Sequence, residues 1–210
     1  MIGIRTAEGL AWPGEATSGR LASAAVQAAA LGQPNMSRYV TFEADVIRGS
    51  AFGPALDIWE SRRGDRFAPA WNRDIHFLDF DTRLIPRMML VQVDGNPGVG
   101  VYRFWGTGVK TYDNSDQTNG RVSTQETGEM AEDFVEQYQQ VVDSRLPRAY
   151  ATQIMLSGAV KHFKFEACLR LPFTSDGESV DWVLSIDHYA DDWRVLLHEL
   201  GVGNLPQPSR

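Results

Sequence analysis

The chain has 210 residues, of which 43% are hydrophobic and 22% charged, the make-up of an ordinary soluble globular protein. Its single cysteine, Cys168, excludes an intrachain disulfide framework and a cysteine-based structural zinc site. A net charge of -7 repels phosphate backbones and anionic lipid, so neither nucleic acid nor a membrane surface is an expected partner.

Residues 1–37 are rich in Gly, Ala, Ser, Thr and Pro and carry only Arg5, Glu8, Glu15 and Arg20 as charges. They are read as an N-terminal tail, loose unless the alanine-rich Leu21 to Leu31 docks as a helix. That stretch is far short of the roughly 18 apolar residues of a membrane span. The charge placement does not fit a secretory signal, so a cytoplasmic chain is expected.

Tyr39 to Ile47 mixes aromatic and β-branched residues and reads as a strand or an approach segment. A short helix follows, with Pro54 in its first turn, Ala55, Leu56, Ile58 and Trp59 on its apolar side and Gly64 as its stop. Phe67 to Pro86 is irregular and reads as a long loop anchored by Trp71, Phe77 and Phe80. Met88 to Val93 and Val99 to Trp105 flank Asp94-Gly95-Asn96-Pro97-Gly98, which spells an antiparallel hairpin. Gly106 to Gly120 is loop or short helical turns.

Gly128 to Arg145 predicts a helix with Met130, Phe134, Tyr138 and Val141 on one face, Thr127 as cap and Pro147 as stop. Strands are expected at Tyr150 to Leu156, Phe163 to Leu171 and Trp182 to Tyr189, then a closing helix from Asp191 to Leu200 and a tail over 201–210. The expected fold is α+β: a five-stranded antiparallel sheet over residues 38–200, with helices on one face and an N-terminal extension. Without β-α-β-α alternation, a doubly wound nucleotide fold is not expected.

Motif chemistry is sparse. His76, His162, His188 and His198 show no zinc spacing, and Ser115 and Gln117 leave a calcium loop ending at Glu126 short of charged ligands. No nucleophile elbow or phosphate loop occurs. Cys168 sits mid-strand between Ala167 and Leu169 and reads as a buried, inert thiol. Glu126, Glu129, Glu132, Asp133, Glu136 and Asp143 occur with no Lys or Arg between Val122 and Ser144. They make a solvated helix face or an acidic docking surface for a basic partner.

Strand alternation puts Tyr102 and Phe104 on one face of their strand. It groups Phe163, Phe165, Ala167 and Leu169 on the next, and Trp182, Leu184, Ile186 and His188 on the last. Turned toward Phe134 and Tyr138, these faces enclose an apolar space with His188 as a polar group. Tyr102, Phe104, Phe134, Tyr138, Phe165 and His188 are therefore the candidate ligand-binding residues. The same pattern describes a filled core, and both readings stay open. No cofactor is named by the sequence.

Several segments occur in a telling order. They are Leu56-Asp57-Ile58-Trp59 with Arg62 and Arg63, Asn72-Arg73-Asp74-Ile75, Leu84-Ile85-Pro86, Tyr102-Arg103-Phe104-Trp105-Gly106-Thr107 and Leu169-Arg170-Leu171-Pro172-Phe173. Over roughly residues 51–190 the chain thereby resembles a family of bacterial PAS domains. It departs from the family at Asp113 to Arg121, where a Gly-Arg-Asp-Leu-Thr-Gly type of loop is usual. The resemblance implies a sensory or interaction module but no particular ligand, since such folds hold haem, flavin, small acids or nothing. The expected module is non-catalytic, can hold a small molecule, forms a homodimer and passes its output to an unidentified signalling partner. Two other classes stand beside it. One is a cone-shaped enzyme like ketosteroid isomerase or dehydratases, using Asp187 and His188; the other is a nucleic-acid binder using Arg62, Arg63, Arg66 and Arg73.

Overall fold

The computed structural model describes residues 39–93, 96, 100–109, 116–122, 129–156, 162–192, 195, 196 and 198. The tails, Thr127, Gly128 and much of the hairpin turn and closing helix lie outside these residues. Strand β1 (Tyr39–Glu43) leads through a 3-10 turn at Ala44–Ile47 into helix α1 (Gly53–Arg63). Pro54 occupies the first turn of α1, where a missing N–H costs nothing, and Gly64 ends it at φ 57°. The long loop follows, with 3-10 turns at Phe77–Asp79 and Ile85–Arg87. Strands β2 (Met88–Gln92) and β3 (Val101–Trp105) come next, then helix α2 (Glu129–Ser144). Strands β4 (Arg148–Leu156), β5 (His162–Phe173) and β6 (Trp182–Ala190) complete the sheet.

The sheet is open and wholly antiparallel, in the order β1-β4-β5-β6-β2-β3. It has six strands, where five were expected. The addition is β1, which zips along β4 with Val40 opposite Ala151 and Phe42 opposite Ala149.

The expectation of helices on one face is also corrected. Helix α1 buries Ala55, Leu56 and Trp59 in a core with Phe42, Leu90, Leu169, Leu171, Phe173, Leu184 and Ile186. Helix α2 buries Phe134, Tyr138 and Val141 in a second core with Met89, Val91, Tyr102, Trp105, Tyr150, Cys168 and Val183. Alternate residues of β5 and β6 belong to the two cores, so the centre of the sheet is covered on both faces. The sheet therefore needs a helix or loop on each side.

The sequence segments that stand in a telling order meet in space. The Trp59 indole donates to the Pro172 carbonyl at 2.7 Å, joining α1 to β5. Strand β4 ends opposite Arg170, so Pro172 sits where β5 has a strand neighbour on one side only, which suits a residue without an N–H. A side chain on Gly106 would meet the Pro86 carbonyl oxygen at 2.3 Å, so the chain after β3 can pass the loop only as glycine. Asp74 takes hydrogen bonds from the Ala70 N–H at 2.8 Å and the Arg66 guanidinium at 2.6 Å, pinning the loop. Above it Trp71 packs edge-on to Phe77 and Phe173. Trp59→Phe keeps an aromatic ring but loses part of the indole's buried volume and the bond to Pro172; the expected loss is about 2–3 kcal/mol in urea unfolding, with the slope unchanged.

Candidate functional site

The sheet face beneath α2 is unexpectedly polar. On β5 the residues facing α2 are Glu166, Cys168 and Arg170, and on β6 they are Ser185, Asp187 and Tyr189, set by the pairings of Cys168 with Asp187 and Arg170 with Ser185. Arg170 and Asp187 are 1% exposed and Glu166 4%. Burying charge is costly unless it is paired and hydrogen-bonded.

Arg170 is the hub. One guanidinium nitrogen donates to Ser185 Oγ at 3.0 Å and another to Gln137 Oε1 at 2.8 Å. Its Cζ lies 3.8 Å from the centre of the Tyr138 ring, with Phe134 and Tyr150 each at 5.7 Å. Aromatic faces stabilise a desolvated cation by their negative quadrupole. The Tyr138 hydroxyl is 3.0 Å from Ser185 Oγ, and the Tyr150 hydroxyl donates to the Gln137 carbonyl at 2.9 Å. Helix α2 is thus tied to the sheet by polar bonds converging on Arg170. Burial works against the Arg170 charge, yet its surroundings, Asp187 among them, hold it protonated.

Asp187 accepts the Tyr189 hydroxyl on Oδ2 at 2.9 Å. Among the described residues its Oδ1 receives no N–H or hydroxyl hydrogen, and Glu166 is its diagonal neighbour on the same face. Burial pushes the Asp187 carboxyl up to about 6, against the pull of Arg170 and Tyr189. Burial also raises Cys168 well beyond the ordinary thiol range, so it is an unreactive thiol, as its place in the strand suggested.

The six candidate ligand-binding residues divide between the two faces. Tyr102, Phe134 and Tyr138 gather under α2. Phe104 and Phe165 pack against the α1 core instead, and His188 faces that side too, its Nδ1 2.7 Å from the Arg87 guanidinium. The reason in β3 is a bulge: Leu90 pairs with Phe104 but Val91 pairs with Tyr102, leaving Arg103 unpaired. The extra residue returns Trp105 to the Tyr102 side, where their rings meet edge-on at 4.8 Å. In β5 and β6 the alternation was read correctly. The row assigned to α2 was the apolar one, whereas that row lies under α1 and the polar row lies under α2.

Arg170, Gln137 and Ser185 were missed as site residues. The available signal was Glu166, Cys168 and Arg170 alternating along a strand whose other side is apolar. Such a strand is either an exposed edge or the floor of a polar interior, and β5 lies inside the sheet.

The arginines proposed for nucleic acid are engaged locally. Arg62 pairs with Asp79, Arg66 and Arg73 pair with Asp74, and Arg63 donates to the Arg66 carbonyl. They hold the loop rather than form an open basic surface. On α2, Glu132, Glu136 and Asp143 are exposed. Among the described residues, no group of His, Cys, Asp and Glu is arranged to hold a metal, and no helix is long and apolar enough to cross a membrane. No family model matches the chain, and neither curated proteins nor solved structures provide a match.

Proposed function

We propose that this chain is a sensory or interaction module of PAS type, whose input site is the space between α2 and the polar sheet face and whose output passes to a partner protein. The observation that carries the reading is the strand order. Without β1 the sheet runs β3-β2-β6-β5-β4, so the first hairpin lies beside the last strand and the helical connection crosses the sheet between β3 and β4. That is the arrangement expected of PAS domains. The contacts of Trp59 with Pro172 and of Gly106 with Pro86 add support, because they give a physical reason for the order of the segments on which the resemblance rests. Fold alone does not name a ligand. The site itself favours a small polar molecule, because its hub is a buried guanidinium among tyrosines. Binding would act by favouring one seating of α2 over another.

The test is a thermal-shift series on the full chain with haem, flavin and small carboxylic acids, backed by native mass spectrometry of freshly purified material. Stabilisation by at least one compound, lost in Gln137→Ala, is the expected result. No shift with any of them, and no bound mass, would leave an interaction scaffold only.

One observation favours a second reading, a proton-transfer enzyme: a buried carboxyl at Asp187 held up to about 6 suits a general acid–base group. Its proposed companion His188 faces the opposite side of the sheet, so the two do not act together. Turnover of an isomerisable or dehydratable substrate, abolished by Asp187→Asn, would promote this reading.

A further inference from the structure

Glu166 on β5 and Asp187 on β6 are diagonal neighbours on one sheet face, since Glu166 stands opposite Tyr189 and Cys168 opposite Asp187. Both are buried. Ionised carboxylates only accept hydrogen bonds, and two of them side by side out of water repel each other, so the pair is favoured with a proton on one of its members. Among the described residues no donor reaches Asp187 Oδ1, so the ionised form of this carboxyl is poorly stabilised where it stands.

We propose that the Glu166–Asp187 pair is a proton-binding site that sets how firmly α2 is held on the sheet, so that the ligand sensed there is the proton itself. This deepens the sensory reading and depends on it for its biological meaning.

The groups facing the pair are Arg170 and Cys168 on β5, Tyr189 on β6, Tyr150 on β4, Tyr138 on α2 and Tyr102 on β3. All the tyrosines here, and Cys168, are pushed upward by burial, so they stay neutral at physiological pH. On α2, Asp133 and Glu136 act on Tyr39 at the sheet edge. Arg148 and Thr152 on β4 share this face, opposite Arg170 and Glu166; Arg148 is half-buried, and Arg170 is the fully buried cation that answers the pair. With one proton on the pair, a single negative charge faces a single positive one, and the guanidinium is free to hold Gln137 and Ser185. With both carboxyls ionised, two anions compete for it. The bonds from Arg170 to Gln137 and Ser185 are the ones that hold α2, so they weaken first. Rising pH therefore loosens α2, and acid seats it.

The experiment is hydrogen exchange by mass spectrometry on the full chain from pH 5 to 8, corrected for the intrinsic rate. Protection of α2 is expected to fall by about tenfold across a step within this range, one unit of differential proton binding. Protection of β5 and β6 should change less. Glu166→Gln and Asp187→Asn should each remove the step. A flat wild-type profile overturns the proposal, as does a step that persists in both variants. If one variant fails to fold, the wild-type profile and the other variant still decide. A flat profile together with ligand-induced stabilisation would sink this proposal and leave the small-molecule reading standing; a clear step with no ligand response would do the reverse.

Discussion

Arg170→Ala is expected to destabilise the protein by about 3–5 kcal/mol, the range for emptying a large buried site and leaving its polar partners unsatisfied. Three losses combine in the alanine variant. Asp187 loses its counter-charge, Gln137 and Ser185 lose their donor, and the space over the Tyr138 ring is emptied. Arg170→Met fills most of that space without the charge, and its expected cost is smaller, because buried ion pairs replaced by well-packed apolar groups are often nearly neutral. Denaturant unfolding of the two variants checks this ordering. Equal effects would mean that packing alone holds the site, and a loss below about 1 kcal/mol for alanine would place Arg170 outside the network.

Asp187→Asn is expected to become more favourable relative to wild type as pH rises. The Asp187 carboxyl moves from 3.8 to about 6 on folding, so the folded protein binds its proton more tightly than the unfolded chain. Its contribution is intact below pH 4 and is lost as pH climbs through 6, after which the difference is constant. Two pH units correspond to about 3 kcal/mol. Exposed carboxylates such as Asp81 and Asp176, held down to about 2 by hydrogen bonds from Arg83 and from the Glu178 and Ser179 N–H groups, act in the opposite sense. They lose stability only in strong acid. Comparing the melting temperatures of variant and wild type at each pH cancels them. A difference independent of pH between 4 and 7 would show that Asp187 titrates as an ordinary carboxyl.

The elements themselves were legible because their punctuation is chemical. Pro54 and Gly64 bracket α1, Pro147 follows α2, and β-branched and aromatic runs mark the strands. The placement of β1 was harder to read, because nothing in Tyr39 to Glu43 says which edge it joins; its partner β4 lies more than a hundred residues on. The assignment of faces failed for a definite reason. Period-2 alternation sorts a strand into two rows, but it cannot say which row meets which helix when both are buried. The apolar row was matched to the apolar face of α2, and the chain does the contrary, placing Gln137 and Tyr138 over Arg170 and Ser185. The bulge at Arg103 has no glycine or proline to announce it, so Phe104 was grouped with Tyr102 although they lie on opposite sides.

Carboxyl-carbon NMR of the full chain, titrated from pH 3 to 8 with Glu166 and Asp187 assigned, reaches the centre of the account. A shared proton makes both signals move together in each step, one of them near pH 6, because coupled groups titrate as a unit. Two independent steps, each in the ordinary range near 4, would mean that the carboxyls under α2 share nothing and that the buried network around Arg170 has been misread.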